Sequence, residues 1–187
     1  DGNVYIDCIN NFTAQIHGHA HPALLKAATA QLALGSAFGL PTESEVDLAE
    51  LLVSRLPSVD QVRFANSGTE AVMMALKAAR AHTGRPKIAK CEGAYHGCYD
   101  YAEVSLDPTP EAWGRNAPVS VAYARGTPDN VLADVVTIPF NDTEAAVSLI
   151  REHGEGLACV LVDPMPNRAG LAPADQSYLE ALRKVTQ

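Results

Sequence analysis

Between residues 62 and 162, short apolar runs alternate with helix-patterned stretches, and nothing else in the chain constrains its fold as strongly. Val62–Ala65, Lys87–Cys91, Val135–Ile138 and Leu157–Val162 read as strands. Glu70–His82, rich in Ala, Met and Leu, and Asp142–His153 read as the helices between them. A strand, a helix and a further strand make a right-handed crossover unit, so the expected fold class is α/β: three layers, with a mainly parallel sheet covered by helices on both faces. Leu157–Val162 is apolar without interruption, as a strand buried on both faces requires.

The flanks follow local rules. Asp1-Gly2 is a hairpin signal, and Val4-Tyr5-Ile6 after it reads as a strand. His21-Pro22 opens a helix from Ala23 to about Leu34, and Gly35–Pro41 is a loop. Thr42 with Glu45 three residues on predicts a capping box for a helix that carries Val46, Leu48, Leu52 and Leu56 and stops at Pro57. Gly84 ends the Glu70–His82 helix. Asp142 caps the next helix, with Gly154 at its C-cap. A last helix begins near Ala174–Asp175. The Asp107–Asn130 excursion is too long for an ordinary connection and reads as functional or mobile. The expected domains are an N-terminal segment, residues 1–40, and part of a larger domain, residues 41–187. The opening turn has no strand before it and the last helix no stop signal, so the chain reads as a piece of a longer one.

Composition narrows the function classes. The 187 residues carry a formal net charge of -8, with 47% hydrophobic and 19% charged residues, which suits a globular domain. That acidity argues against a nucleic-acid partner, which needs clustered Lys and Arg. No apolar run reaches the ~20 residues of a membrane-spanning helix, and no basic amphipathic stretch suggests a membrane surface. Cys8, Cys91, Cys98 and Cys159 form no CxxC pair, which reads as reduced thiols in a cytoplasmic protein.

The chemistry concentrates in Phe64-Ala65-Asn66-Ser67-Gly68-Thr69-Glu70-Ala71. A strand delivers Ser-Gly-Thr onto a helix N-terminus, where free N–H groups and the helix dipole favour an anion. Ser67 and Thr69 add hydroxyls, and Gly68 lets a bound group approach the backbone. The pattern suits a phosphate; the competing reading is plain capping by Ser67. No GxGxxG or GxxxxGK[ST] accompanies it, which disfavours a Rossmann-type phosphate binder. Glu92-Gly93-Ala94-Tyr95-His96-Gly97 follows the next strand, at the end where α/β sheets bind ligands. Tyr95 between glycines can lie flat on a planar ligand, with His96 beside it. His17, His19 and His21 would share one face of a strand, but no carboxylate or cysteine completes a metal set, so no metal is assigned. Cys98 reads as a packed thiol.

Asn66–Ala71 together with Tyr95-His96-Gly97 resembles the class III (fold type I) aminotransferases, which depend on pyridoxal 5'-phosphate (PLP). Gly18-His19-Ala20-His21-Pro22 and Ser36–Thr42 resemble the glutamate-1-semialdehyde 2,1-aminomutase branch. The resemblance implies that Ser67, Gly68 and Thr69 hold the PLP phosphate, that Tyr95 stacks on its ring with His96 adjacent, and that Asp163 also faces the cofactor. Phe38 and Arg168 are implied as substrate-binding positions. The family's usual Glu-Pro reads Asp163-Pro164 here, and Arg168 stands where that branch commonly has Asn; a solvated charge is the other reading of Arg168. The implied activity is amino-group transfer on a small amino-acid-like substrate, by an aminomutase or by a transaminase acting on an amino or β-amino acid, in a homodimer. Neither the Schiff-base lysine nor the pyridinium-pairing Asp matches a motif here. Lys26, Lys77, Lys87, Lys90 and Lys184 are given no such role, and both groups are expected beyond Gln187. The alternative is a non-catalytic binding or structural module that kept the fold.

Overall fold

A computed structural model describes residues 1–113 and 117–187. It divides into two units, Asp1–Arg63 and Phe64–Gln187.

The first unit holds two helices, α1 (Pro22–Leu32) and α2 (Glu43–Arg55). Pro22 sits in the first turn of α1, where its missing N–H costs nothing. Glu43 and Glu45 complement the dipole at the start of α2. The predicted capping box does not form, because the Thr42 side chain makes no cap bond. Glu45 N–H instead donates to the Thr42 carbonyl at 3.1 Å, which removes the donor the hydroxyl needed. The predicted strand at Val4-Tyr5-Ile6 is also absent. These residues are exposed and join no ladder, and a strand exists only where a partner meets its N–H and C=O groups.

The second unit is α/β. Its elements run α3 (Gly68–Thr83), β1 (Lys87–Cys91), α4 (Asp100–Glu103), α5 (Asp129–Ala133), β2 (Val135–Ile138), α6 (Thr143–His153), β3 (Leu157–Leu161) and α7 (Gln176–Val185). The strands form one parallel sheet in the order β2-β1-β3, with Ile88 opposite Val135 on one side and Cys159 on the other. The pleat sends alternate residues to opposite faces. Ile88 and Val135 pack with Leu76 of α3, Val104 and Val131. Ala89, Val136 and Ile138 pack with Ala146 and Ile150 of α6 and with Tyr178 and Leu182 of α7. Both faces are covered, so the three-layer arrangement holds.

Three details depart from expectation. Val62–Ala65 forms no strand, again for want of a ladder. β3 is only half buried after Leu157, because among the described residues it pairs with β1 alone. Gly84 ends α3 in the left-handed conformation as predicted, whereas Gly154 stays right-handed and leads from α6 into a 3-10 turn. Within the Asp107–Asn130 excursion, residues 114–116 lie outside the described residues; a 3-10 turn at Pro110–Ala112 precedes them. No helix among the described residues is long and apolar enough to cross a membrane.

Candidate functional site

In an α/β layer the helices run antiparallel to the strands, so the N-terminus of α3 lies at the end of the sheet where β1 and β3 finish. Ser67 is extended and caps α3: its Oγ accepts from Glu70 N–H at 3.2 Å, while the Glu70 carboxylate accepts from Asn66 N–H at 2.8 Å. In a capping box the acidic side chain would take the N–H of Ser67 itself; here it reaches one residue further back, to Asn66. The capping reading of Ser67 is therefore realised. The Gly68 and Thr69 N–H groups take no acceptor among the described residues and stay free at the positive end of the helix dipole. A Cβ on Gly68 would meet no atom within 4 Å, so the approach to these donors is open.

The turn after β1 is fastened to this helix end. Cys98 N–H donates to Thr69 Oγ1 at 3.1 Å. Gly97 has φ +90°, and a Cβ there would fall 2.8 Å from Thr69 Cα. Only glycine lets the two backbones approach so closely. The structure thus brings together the two motifs that the sequence separates by some twenty-five residues.

Tyr95 is half exposed, and its hydroxyl lies 3.8 Å from Cys98 Sγ, a contact that raises the phenol's pKa. Cys98 itself is exposed rather than packed, because its backbone and not its thiol is turned to α3. His96 Nε2 is buried without a partner. Burial lowers the imidazole to about 4, helped by the Lys90 charge and opposed by the Asp163 carboxylate. His96 is therefore neutral at pH 7, with an unused ring nitrogen. Glu92 Oε1 is also buried and unpartnered, and burial raises that carboxyl's pKa. Two free backbone donors, an unpartnered buried imidazole nitrogen and a half-exposed aromatic ring fit a flat, phosphorylated ligand.

Asp163 follows β3, and its Oδ1 accepts from Met165 N–H at 2.9 Å, which shapes the turn into Pro164. Arg168 lies in a 3-10 turn, Asn167–Ala169, with Nη2 3.9 Å from Asp107 Oδ2 and both side chains well exposed. A pair of that length in solvent contributes little, in keeping with the solvated-charge reading. Phe38 belongs to the first unit, where its ring lies over Gly35. The three histidines form no common face: His17 and His21 are in ring contact at 5.4 Å, while His19 bonds Asp7 at 2.9 Å. Lys90 was assigned no role from sequence. It is one of two lysines in β1, Lys87 standing at the strand's start, and the structure buries it completely.

Comparison with known proteins gives a consistent picture. The family model described as aminotransferase class-III matches residues 1–187. A glutamate-1-semialdehyde 2,1-aminomutase from Methanothermobacter thermautotrophicus is 42% identical over 187 residues, which is 100% of this chain and 43% of that protein. An omega-transaminase from Sphaerobacter thermophilus is similar in structure, with a TM-score of 0.89 and 54% identity over 95% of this chain and 41% of that one. A transaminase with PLP bound gives a TM-score of 0.86 and 49% identity, over 95% of this chain and 40% of that one. The chain spans about two-fifths of the length of the proteins it matches.

Proposed function

The chain belongs to the class-III aminotransferase family, and we propose that the full-length protein is a PLP-dependent transaminase acting on a small amino or β-amino acid. The observation that carries this reading is the Cys98 N–H···Thr69 Oγ1 bond, which sets the Tyr95-His96-Gly97 turn against the open N-terminus of α3. The free Gly68 and Thr69 N–H groups bind the cofactor phosphate, with the hydroxyls of Ser67 and Thr69 beside them. Tyr95 covers the ring, and His96, neutral at pH 7, offers its unpartnered nitrogen to a polar group of the ligand. Asp163, whose charge acts on His96, is assigned to the cofactor, and Arg168 keeps the solvated-charge reading. When bound, PLP would supply the electron sink for the charge that develops as the substrate loses the proton on the carbon bearing its amino group. No residue of this chain is assigned as the Schiff-base lysine or as the aspartate that pairs with the ring nitrogen. A homodimer in the cytoplasm completes the reading, with no nucleic acid or membrane as partner.

Transfer between two molecules is preferred over transfer within one, because among solved structures the identity to the omega-transaminase, 54%, exceeds the 27% to a glutamate-1-semialdehyde-aminomutase from Pseudomonas aeruginosa PAO1, whereas the aminomutase matched in sequence is 42% identical. The aminomutase reading keeps the support of that second resemblance. Purified full-length protein is expected to show a visible cofactor band that borohydride traps on a lysine. A protein that binds no PLP would leave only the non-catalytic module. With a ¹⁵N-labelled amino donor, a transaminase delivers the label to a second carbon skeleton, whereas an aminomutase retains it in the first.

A further inference from the structure

Among the described residues of the second unit, three polar side chains are fully buried: Lys90, Ser105 and Thr137. Ser105 and Thr137 are bonded to each other, and Lys90 bonds the carbonyl of Val104, the residue before Ser105. Lys90 Nζ donates to the Val104 carbonyl at 2.6 Å. Ser105 Oγ donates to the Val119 carbonyl at 3.0 Å and accepts from Val121 N–H at 3.1 Å and from the Thr137 hydroxyl at 3.2 Å. The Ser105 backbone is tied on both sides: its N–H donates to Val121 and its carbonyl accepts from Gly93 N–H, each at 2.8 Å. Ser105 also adopts φ +52°, a left-handed conformation that a serine takes only when its surroundings impose it.

Burying an ammonium is costly, and burial lowers Lys90 to about 8. A methionine would fill the same space more cheaply, so core packing alone does not account for a lysine here. What the junction holds does account for it. The chain leaves β1 after Cys91, carries Tyr95, His96 and Cys98 past the N-terminus of α3, and returns through Val104–Ser105. Gly93 N–H on the Ser105 carbonyl closes the base of this loop, and Lys90, reaching from the strand, grips its return leg.

We propose that the Val104–Ser105 junction, gripped by Lys90, is the anchor that positions Tyr95 and His96 for the cofactor, which makes Lys90 and Ser105 positioning residues of the site. This rests on the cofactor reading above, although the anchor can be tested without any cofactor. In cofactor-free full-length protein, Lys90→Met speeds amide exchange in the 93–105 segment about tenfold, as expected for loss of a buried charged hydrogen bond, and leaves α6 and α7 at their original rates. Exchange that stays unchanged, or that rises uniformly through the unit, overturns the proposal. If Lys90→Met does not fold, Ser105→Ala decides by the same criterion, since it removes only the hydroxyl ties. With PLP added to saturation, both variants lose intensity in the visible circular dichroism of the bound ring while its absorbance is retained. Unaltered dichroism in a variant whose loop has loosened also overturns the proposal. If the unsubstituted protein binds no PLP, the functional reading falls and the exchange result still decides the anchor.

Discussion

The two units contain helices of comparable length, yet they differ in how sharply their apolar residues are gathered on one face and in what those faces bury. Neither α1 nor α2 buries a single residue; Val46, Leu48 and Leu51 on α2 all remain exposed. In the second unit α3, α6 and α7 bury Leu76, Ala146, Ile150, Tyr178 and Leu182 against a sheet. Amphipathic periodicity creates a helix with a face, but only an opposing surface turns that face into a core. A three-stranded parallel sheet supplies two such surfaces, and the first unit has no sheet of its own.

Core substitutions probe this contrast most strongly. Tyr178 is completely buried, donates to the Pro139 carbonyl at 3.1 Å and packs edge-on against Phe140. Tyr178→Ala is expected to cost about 3–5 kcal/mol in denaturant unfolding of the 187-residue chain. Leu51→Ala, at a position 44% exposed, is expected to cost under about 1 kcal/mol. A comparable loss from Leu51→Ala would break the contrast, because it would mean the first unit owns a buried face.

The next effect is on pH dependence. His96 titrates near its ordinary 6.5 in the unfolded chain and at about 4 in the fold, mainly because of burial. The unfolded state takes up the proton first as pH falls. The stability contributed by neutral His96 is thus complete above pH 6.5 and lost between 6.5 and about 4. In the first unit, exposed Asp7 is lowered from 3.8 to about 2, chiefly by its bond from His19, so its contribution is lost only between those values. Unfolding midpoints measured from pH 7 to 4 should slope downward, and His96→Gln should flatten that slope while Asp7→Asn leaves it alone. An unchanged slope in His96→Gln would assign the dependence to other groups.

Helix caps give the smallest effect and the sharpest pairing. Asp142 Oδ1 accepts from Ala145 N–H at 3.1 Å, whereas Thr42 makes no side-chain cap. Asp142→Ala should lower stability by about 1 kcal/mol and Thr42→Ala by a few tenths at most, as read from melting temperatures.

Much of the second unit was legible residue by residue. The short apolar runs located β1, β2 and β3, and Asp142 and Gly84 marked helix ends through their own chemistry. The missed elements all needed a partner. Val4–Ile6 and Val62–Ala65 have strand composition but no ladder, and Thr42 has a capping side chain whose donor went to its own carbonyl. At the site, Ser67–Thr69 and Tyr95–Gly97 were recognisable separately. Their contact, the free Gly68 and Thr69 N–H groups and the unpartnered His96 nitrogen were not, since each depends on chain distant in sequence.

By itself, then, the sequence determined the alternation of strand and helix, the parallel sheet that follows from it, and the Ser-Gly-Thr turn ahead of α3. Those features arise from periodicity, capping and glycine stereochemistry, which act within a few residues. Only the tertiary structure decided that the Tyr95 turn is fastened to Thr69, that Lys90 is buried on the Val104 carbonyl, and that His96 is held neutral. Each of these depends on which groups are removed from water together, and that is settled by packing between segments rather than within one.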